Sequence, residues 1–309
     1  MKSGKQRGRG SVKDSAAKRY FGNKEVFADF CSVHLFNEPG KLKPSSLVEI
    51  PTEYDELLGR ARSGYSSFRL ERDLAFQAYT DGERAYALIC AEFQSSQDCT
   101  MPVRVMKYDS LGYDYQLRER LYSEVGKILP VSTIVVNLGR EPWSGPRSLY
   151  QMFPEVDGFV RKFVPDYGIN VFDPYTASEK IREMFYTDLK NVVNLFRCSK
   201  NDEKLLEAFP KGGTAYLSRE GVRLVNVCLD MELDEPEEGG ELEMCKAVQD
   251  LKERGLREGI EKGIEKGIEK VAVNAIRRGM KMNEVSALTE LPLKRISQLA
   301  SELGLVCNA

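Results

Sequence analysis

Residues 86–96 read YALICAEFQSS, and the reading of this stretch decides the fold. It is an apolar run closed by a carboxylate and an amide two positions apart. Side chains of a strand alternate faces with a period of two, so Tyr86, Leu88, Cys90, Glu92 and Gln94 are expected on one face. A charge ending an apolar row must be met by a hydrogen-bonding partner, a metal ion or water.

Just upstream, YTDGER carries Asp81-Gly82, a strong signal for a two-residue hairpin. With Thr80 facing Glu83, Asp73 falls opposite Cys90 and shares a face with Glu92 and Gln94. Asp73 is then one diagonal step from Glu92, roughly 7–8 Å between backbones. A one-residue slip would turn Asp73 to the other face. Two carboxylates at that spacing can grip a hard cation, which phosphodiester cleavage uses to neutralise charge and activate water. Mg2+ or another divalent cation is the cofactor this arrangement implies. The Phe93 carbonyl is a further oxygen ligand and Gln94 a group that positions water. A first helix predicted after Asn23, through KEVFADFCSVHLF, offers Glu25 or Asp29, four apart on one helix face. Surface charges on a hairpin would give the same spacing. The single histidine, His34, lies in the apolar pattern of that helix and reads as a packed residue.

With 309 residues the chain has enough length for a large domain and an appendage. Its net charge of -2 gives no global positive field, so binding to nucleic acid has to use local patches. The seven cysteines form no C-x-x-C pair, which argues against a zinc site or a disulfide framework and for reduced thiols in a cytoplasmic protein. No apolar run approaches the length that spans a bilayer, so no membrane association is expected.

Residues 1–20 are basic and Gly/Ser-rich, and are expected to be a disordered tail. After the hairpin, MPVRVMKYDSLGYDYQLRERLYSEV reads as helix and VSTIVVNLG as a buried strand, so strands alternate with helices in an α/β domain over 21–235. Residues 236–270 hold an acidic linker and the repeat GLREGIEKGIEKGIEK, with Gly255, Gly259, Gly263 and Gly267 four apart. A helix with those glycines is weak on its own, so self-association through 250–270 is one expectation and a solvated spacer the other. Residues 271–309 read as a helix-turn-helix-like segment, with Lys294 and Arg295 on its second helix facing DNA. A helical hairpin docked on the protein gives the same spacing.

The succession FADF, RDLAF and AEFQSSQDCTMPVRVMKYDSLGYDYQ resembles the Rpn family of recombination-promoting nucleases, also described as transposases, within the PD-(D/E)XK nuclease superfamily. The resemblance is strongest over 73–116 and extends over most of the chain from about residue 20. It implies a PD-(D/E)XK restriction-endonuclease-like α/β core with a C-terminal helical extension, and a Mg2+-dependent DNA endonuclease linked to recombination or mobile elements. It places metal ligands at Asp73 and Glu92, favours Asp29 over Glu25 on the first helix, and sets Gln94 where the superfamily usually has lysine. Ser95, Arg104, Tyr108 and Gln116 also match family positions; Arg104 and Gln116 are expected either to contact phosphate or to brace the site. The rival reading is a regulatory DNA-binding protein that keeps the nuclease fold and acts through its C-terminal helices.

Overall fold

The computed structural model describes residues 6–50, 52–57, 67–79, 85–118, 127–155 and 157–302. In chain order its elements are α1 (Gln6–Phe21), α2 (Lys24–Phe36), β1 (Leu47–Glu49), β2 (Glu53–Leu57), β3 (Ser67–Glu71), β4 (Leu74–Tyr79), β5 (Ala85–Gln94), α3 (Met101–Arg118), β6 (Val131–Asn137), α4 (Gly158–Arg161) and β7 (Asn170–Phe172). There follow α5 (Glu179–Glu183), α6 (Leu189–Cys198), α7 (Asp202–Ala208), β8 (Tyr216–Ser218), α8 (Arg219–Leu229), β9 (Glu241–Glu243), α9 (Met244–Arg277), α10 (Met282–Thr289) and α11 (Leu293–Glu302). The chain divides into two compact units, residues 1–248 and 249–309.

The first unit is mixed α/β, as expected, around a sheet of order β1-β4-β5-β6-β7. β1, β4 and β5 pair antiparallel, whereas β5, β6 and β7 pair parallel. The parallel step needs a crossover, and α3 supplies it. The period-two alternation of β5 divides the core in two. Phe93 stacks on Phe21 of α1, and Phe76 packs on Phe27 of α2, so α1 and α2 cover one face. On the other face Val135 of β6, opposite Glu92, packs with Met101 and Val105 of α3. Glu92 therefore shares the α3 face.

The basic segment expected to be disordered is helical from Gln6 onward. Ala17, Tyr20 and Phe21 are buried, and that burial offsets the ordering cost of a segment whose composition reads as a tail. The helix ends at Gly22, where a Cβ would lie 2.5 Å from the Lys18 carbonyl. The helix predicted after Asn23 is present: Asn23 caps it by accepting the Glu25 N–H at 2.9 Å, and Asn37 closes it in the left-handed region. His34 stacks on Phe30 and meets Phe172 edge-on. Burial lowers its pKa to about 4, so it is a packed residue.

The Asp81-Gly82 turn lies outside the described residues. The pairing beyond it is two residues further along than the hairpin predicts: Ala75, not Asp73, stands opposite Cys90, and an irregularity falls between Ala78 and Tyr79. A shift of two leaves every side chain on its expected face, where a shift of one would not.

Beneath α3 lies Arg72, fully buried. Its guanidinium donates to Thr133 Oγ1 at 3.2 Å and to the Tyr108 carbonyl, and pairs with Asp109 at 3.7 Å. Asp109 in turn accepts from Thr133 and from the Tyr167 hydroxyl. This network ties the approach to β4, helix α3, strand β6 and the segment before β7.

In the second unit the end of α9 packs with α10 and α11 through Ala272, Ala275, Val285, Ile296 and Leu299, giving the short helix, turn and second helix the sequence predicts. The glycine repeat is helical within α9. Leu256, Ile260 and Ile264 are exposed, and a Cβ at Gly255, Gly259, Gly263 or Gly267 would meet open space. Self-association needs this geometry, and so does a solvated spacer. Among the described residues, no helix is long and apolar enough to cross a membrane.

The buried Arg72 network generates a stability prediction. Arg72→Met removes the charge that faces Asp109 and leaves the Tyr108 carbonyl and Thr133 without their donor, so it should cost about 3–5 kcal/mol. Urea unfolding followed by circular dichroism measures this; a loss under about 1 kcal/mol would mean that the pair is not held as described.

Candidate active site

The site forms where β4 begins and β5 ends. Backbone groups of even-numbered β5 residues bond to β6, as the Leu88 N–H to Pro130 and the Gln94 carbonyl to Leu138 show. Odd-numbered residues therefore bond toward β4, and Ala75 and Cys90 form a non-hydrogen-bonded pair, with backbones about 4.5 Å apart. Asp73, at a bend one residue before β4, lies just past the last paired residues, Leu74 and Ala91, and its charge acts on Glu92 at the end of β5. The Phe93 N–H, directed toward β4, donates to Asp73 Oδ2 at 2.8 Å. The Phe93 ring turns to the opposite face, and its carbonyl shares the β4-facing edge with its N–H.

Glu92 is 2 % exposed, and its Oε1 is buried without a hydrogen-bond partner. Its nearest cation is Arg104 on α3, 3.6 Å from Oε2. Burial first, then the charge of Asp73, push its carboxyl up to about 8, against the pull of Arg104 and Arg72. At 3.6 Å the ion pair is long, and burial outweighs it. Arg104 is held more closely by Asp98, at 2.7 Å, and also reaches Gln94 Oε1 at 3.4 Å. Tyr108, one turn further along α3, hydrogen-bonds Arg104, and burial and then Glu92 raise its hydroxyl's pKa. Ser95 follows on the partly exposed edge.

Lys18 of α1 stands 3.2 Å from Asp73 Oδ1. Asp14, one turn earlier, has a carboxyl raised by burial and by Asp73. Both residues line an open groove of about 750 Å³ that reaches Asp73. Sequence reasoning assigned this segment to a tail and missed both. The available signal was the helical spacing of Ala17, Tyr20 and Phe21, with Asp14 and Lys18 four apart on another face.

Asp73, Glu92, Gln94 and Arg104 thus gather at one place, and other predicted residues do not. Asp29 lies on α2, which packs on the sheet face opposite Glu92. Its Oδ2 accepts from the Tyr186 N–H, the Thr187 N–H and the Thr187 hydroxyl at 3.1, 2.9 and 2.6 Å, so it pins the turn before α6. Gln116 is 1 % exposed, and its amide donates to the Leu129 carbonyl at 3.0 Å and accepts the Leu129 N–H at 2.6 Å. Of its two expected roles it fills the bracing one, and a buried amide with both ends engaged cannot reach DNA. In the second unit Lys294 is exposed, and Arg295 forks onto Glu269 of α9 through Nε and Nη2. That pairing holds α11 to α9 while the Arg295 side chain stays exposed at the surface.

Among the described residues, no three His, Cys, Asp or Glu side chains cluster as a metal cage. The carboxylates that could hold a cation here are Asp73 and Glu92. Mg2+ sites are commonly of this kind, with one or two carboxylates and the remaining ligands from water and substrate phosphate. The unpartnered Glu92 oxygen fits that role.

Residues 66–209 match the family model described as "Putative transposase, YhgA-like", which bears out the resemblance read from the sequence. The matched segment holds Asp73, Glu92, Gln94 and Arg104, and leaves out α1 and the whole second unit. No curated protein and no solved structure matches the chain.

The buried carboxylate sets a pH dependence. Folded Glu92 titrates at about 8 against 4.5 for the free group, so between those values the folded state holds a proton that the unfolded chain has lost. Its contribution to stability therefore falls as pH rises through that window, and the penalty is complete above about 8. In metal-free buffer Glu92→Gln should melt above wild type at pH 9 and with it near pH 4.5. Thermal melts across pH check this; a variant melting below wild type at pH 9 would show that the charge is already compensated.

Proposed function

We propose that this chain is a divalent-metal-dependent DNA endonuclease whose core is of the PD-(D/E)XK restriction-endonuclease type, serving recombination or mobile-element biology. The single observation that carries the reading is the approach of Asp73, just before β4, to Glu92 near the end of β5, with one Glu92 oxygen buried and unpartnered. The mixed sheet supports it, because the acidic residue heading β4 and the Glu-x-Gln ending β5 meet at the mouth of the sheet, where α3 crosses to β6. The match of this segment to a transposase family supports it independently.

The chemistry is assigned as follows. Asp73 and Glu92 hold the cation, with the Phe93 carbonyl on the same edge as a further oxygen. A divalent ion there supplies charge neutralisation at phosphate and activation of water. Gln94 holds the attacking water by hydrogen bonds: its amide can donate and accept but carries no charge. Arg104 pulls the Glu92 carboxyl toward ionisation, which a bound cation completes, and, with Nη donors to spare, orients phosphate. Hydrolysis forms one bond from the water oxygen to phosphorus and breaks the bond to the leaving ester oxygen, which receives a proton.

Supercoiled plasmid incubated with Mg2+, Mn2+ or Ca2+ tests this directly. Wild type should nick it with at least one of the ions, and Asp73→Ala and Glu92→Ala should each lower the rate by about 100-fold or more while keeping the wild-type circular dichroism spectrum. Failure of wild type to cut with any of these ions, or full activity in Glu92→Ala, would sink the assignment.

A further inference from the structure

Between β6 and β7 the chain makes an excursion that the chemistry above does not use. It departs next to the site: the Gln97 amide, just beyond the end of β5, donates to the Pro142 carbonyl at 3.0 Å and accepts the Ser144 N–H at 2.9 Å. It returns beside α3, where the Tyr167 hydroxyl donates to Asp109 at 2.6 Å. The two limbs are joined by the Leu149 N–H to the Tyr167 carbonyl and the Ile169 N–H to the Arg147 carbonyl. Tyr150 braces the far end. Its hydroxyl lies 2.8 Å from the Arg161 carbonyl and 2.5 Å from that of Val164, and the Arg161 guanidinium sits over its ring at 5.2 Å from the centroid.

The tip held by this framework is FVRKF, residues 159–163. Phe159 is 66 % exposed and Phe163 73 %, and their rings meet edge-on with centroids 5.2 Å apart. Phenylalanine is ordinarily a core residue, yet here two rings are turned outward together from a pinned turn. Arg161 and Lys162 lie between them in sequence, both exposed, and among the described residues no carboxylate pairs with either. Of the nearby acids, Asp157 accepts the Phe159 N–H at 2.6 Å and Asp166 the Tyr150 N–H at 2.9 Å, so both serve the backbone of the excursion and Glu155 remains. Rings interleaved with cations match a nucleic-acid strand, whose bases stack on aromatic faces and whose phosphates meet the positive charge. A second copy docked here about a two-fold axis would instead bring the two pairs of cations together.

We propose that this tip is a DNA-holding element: Phe159 and Phe163 take up a base that has left the stack, and Arg161 and Lys162 hold the phosphates on either side of it. This rests on the nuclease reading above and narrows its substrate. Removing a base from a duplex costs free energy, least where the base is already unpaired. The tip therefore favours DNA with an unpaired base over a perfect duplex.

Fluorescence anisotropy tests this with the full chain and a duplex carrying one unpaired base, across a salt titration in metal-free buffer so that cleavage does not intervene. The double variant Phe159→Ala, Phe163→Ala should weaken binding by about tenfold or more and keep the wild-type slope of log affinity against log salt. The double variant Arg161→Gln, Lys162→Gln should lower that slope by about two, the loss of two phosphate contacts. Wild type should bind the perfect duplex more weakly, and the phenylalanine variant should lose that preference. Both substitutions are at exposed positions, and an unchanged circular dichroism spectrum confirms the fold. Wild-type affinity in the phenylalanine variant overturns the proposal; if its sedimentation coefficient falls as well, the patch is a contact between copies. A wild type that does not bind this DNA also overturns it. The expected affinities and slopes in a wild type that cuts no plasmid keep the DNA contact and overturn the nuclease reading, whereas cleavage with both variants binding as wild type overturns the DNA contact alone.

Discussion

Everything around the candidate site depends on the pairing of β4 with β5. β5 is paired on both edges, antiparallel to β4 and parallel to β6, so its register cannot move without breaking two ladders. That register ends at Leu74 and Ala91 and leaves Asp73, at the bend before β4, beside the end of β5 that carries Glu92. The Phe93 N–H then fixes Asp73 from the strand itself. The cost of the arrangement is a glutamate charge under α3 with a second carboxylate beside it. The surrounding cations follow from that cost. Arg104 approaches Glu92 from α3, and Lys18 approaches Asp73 from α1.

The other buried carboxylates of the same unit show what a structural acid looks like here. Asp109 is met by Arg72, Thr133 and Tyr167. Asp173 accepts from the Asn137 amide and from the N–H groups of Trp143 and Tyr175. Asp29 gathers three donors on one oxygen. Each ties together segments distant in sequence and accepts at least two hydrogen bonds, although Asp29 Oδ1, like Glu92 Oε1, is buried without a partner. Glu92 has a long ion pair on one oxygen and nothing on the other. The difference is in the second oxygen: Asp29 has three donors there, whereas Glu92 has the 3.6 Å pair with Arg104.

How much of this could be read from the sequence follows from which constraints are local. Face assignment along β5 depends only on the two-residue period, and Cys90, Glu92 and Gln94 fall on the predicted side. The register across the hairpin depends on residues near Tyr79, where the pairing shifts, and no local pattern encodes that. The prediction kept the right face because the error was even. Asp29 and Asp14 are both acids on early helices. Choosing between them needs the knowledge that α2 lies on the far face while α1 reaches the strand end, and only tertiary packing fixes this. The tail reading failed for a related reason. Basic and Gly-rich composition outweighed a short apolar pattern, whose helix becomes worth forming only when Tyr20 and Phe21 have a core to enter. Gln116 had a polar side chain at a plausible contact position, but burial decided its role.

The departure at position 94 is explained by its neighbour. Arg104 lies 3.4 Å from the Gln94 carbonyl oxygen while also holding Asp98 and Glu92. A lysine at 94 would set two cations against each other at that distance, one of them already required to offset a buried glutamate. An amide accepts from the guanidinium instead and leaves its own N–H donors for water.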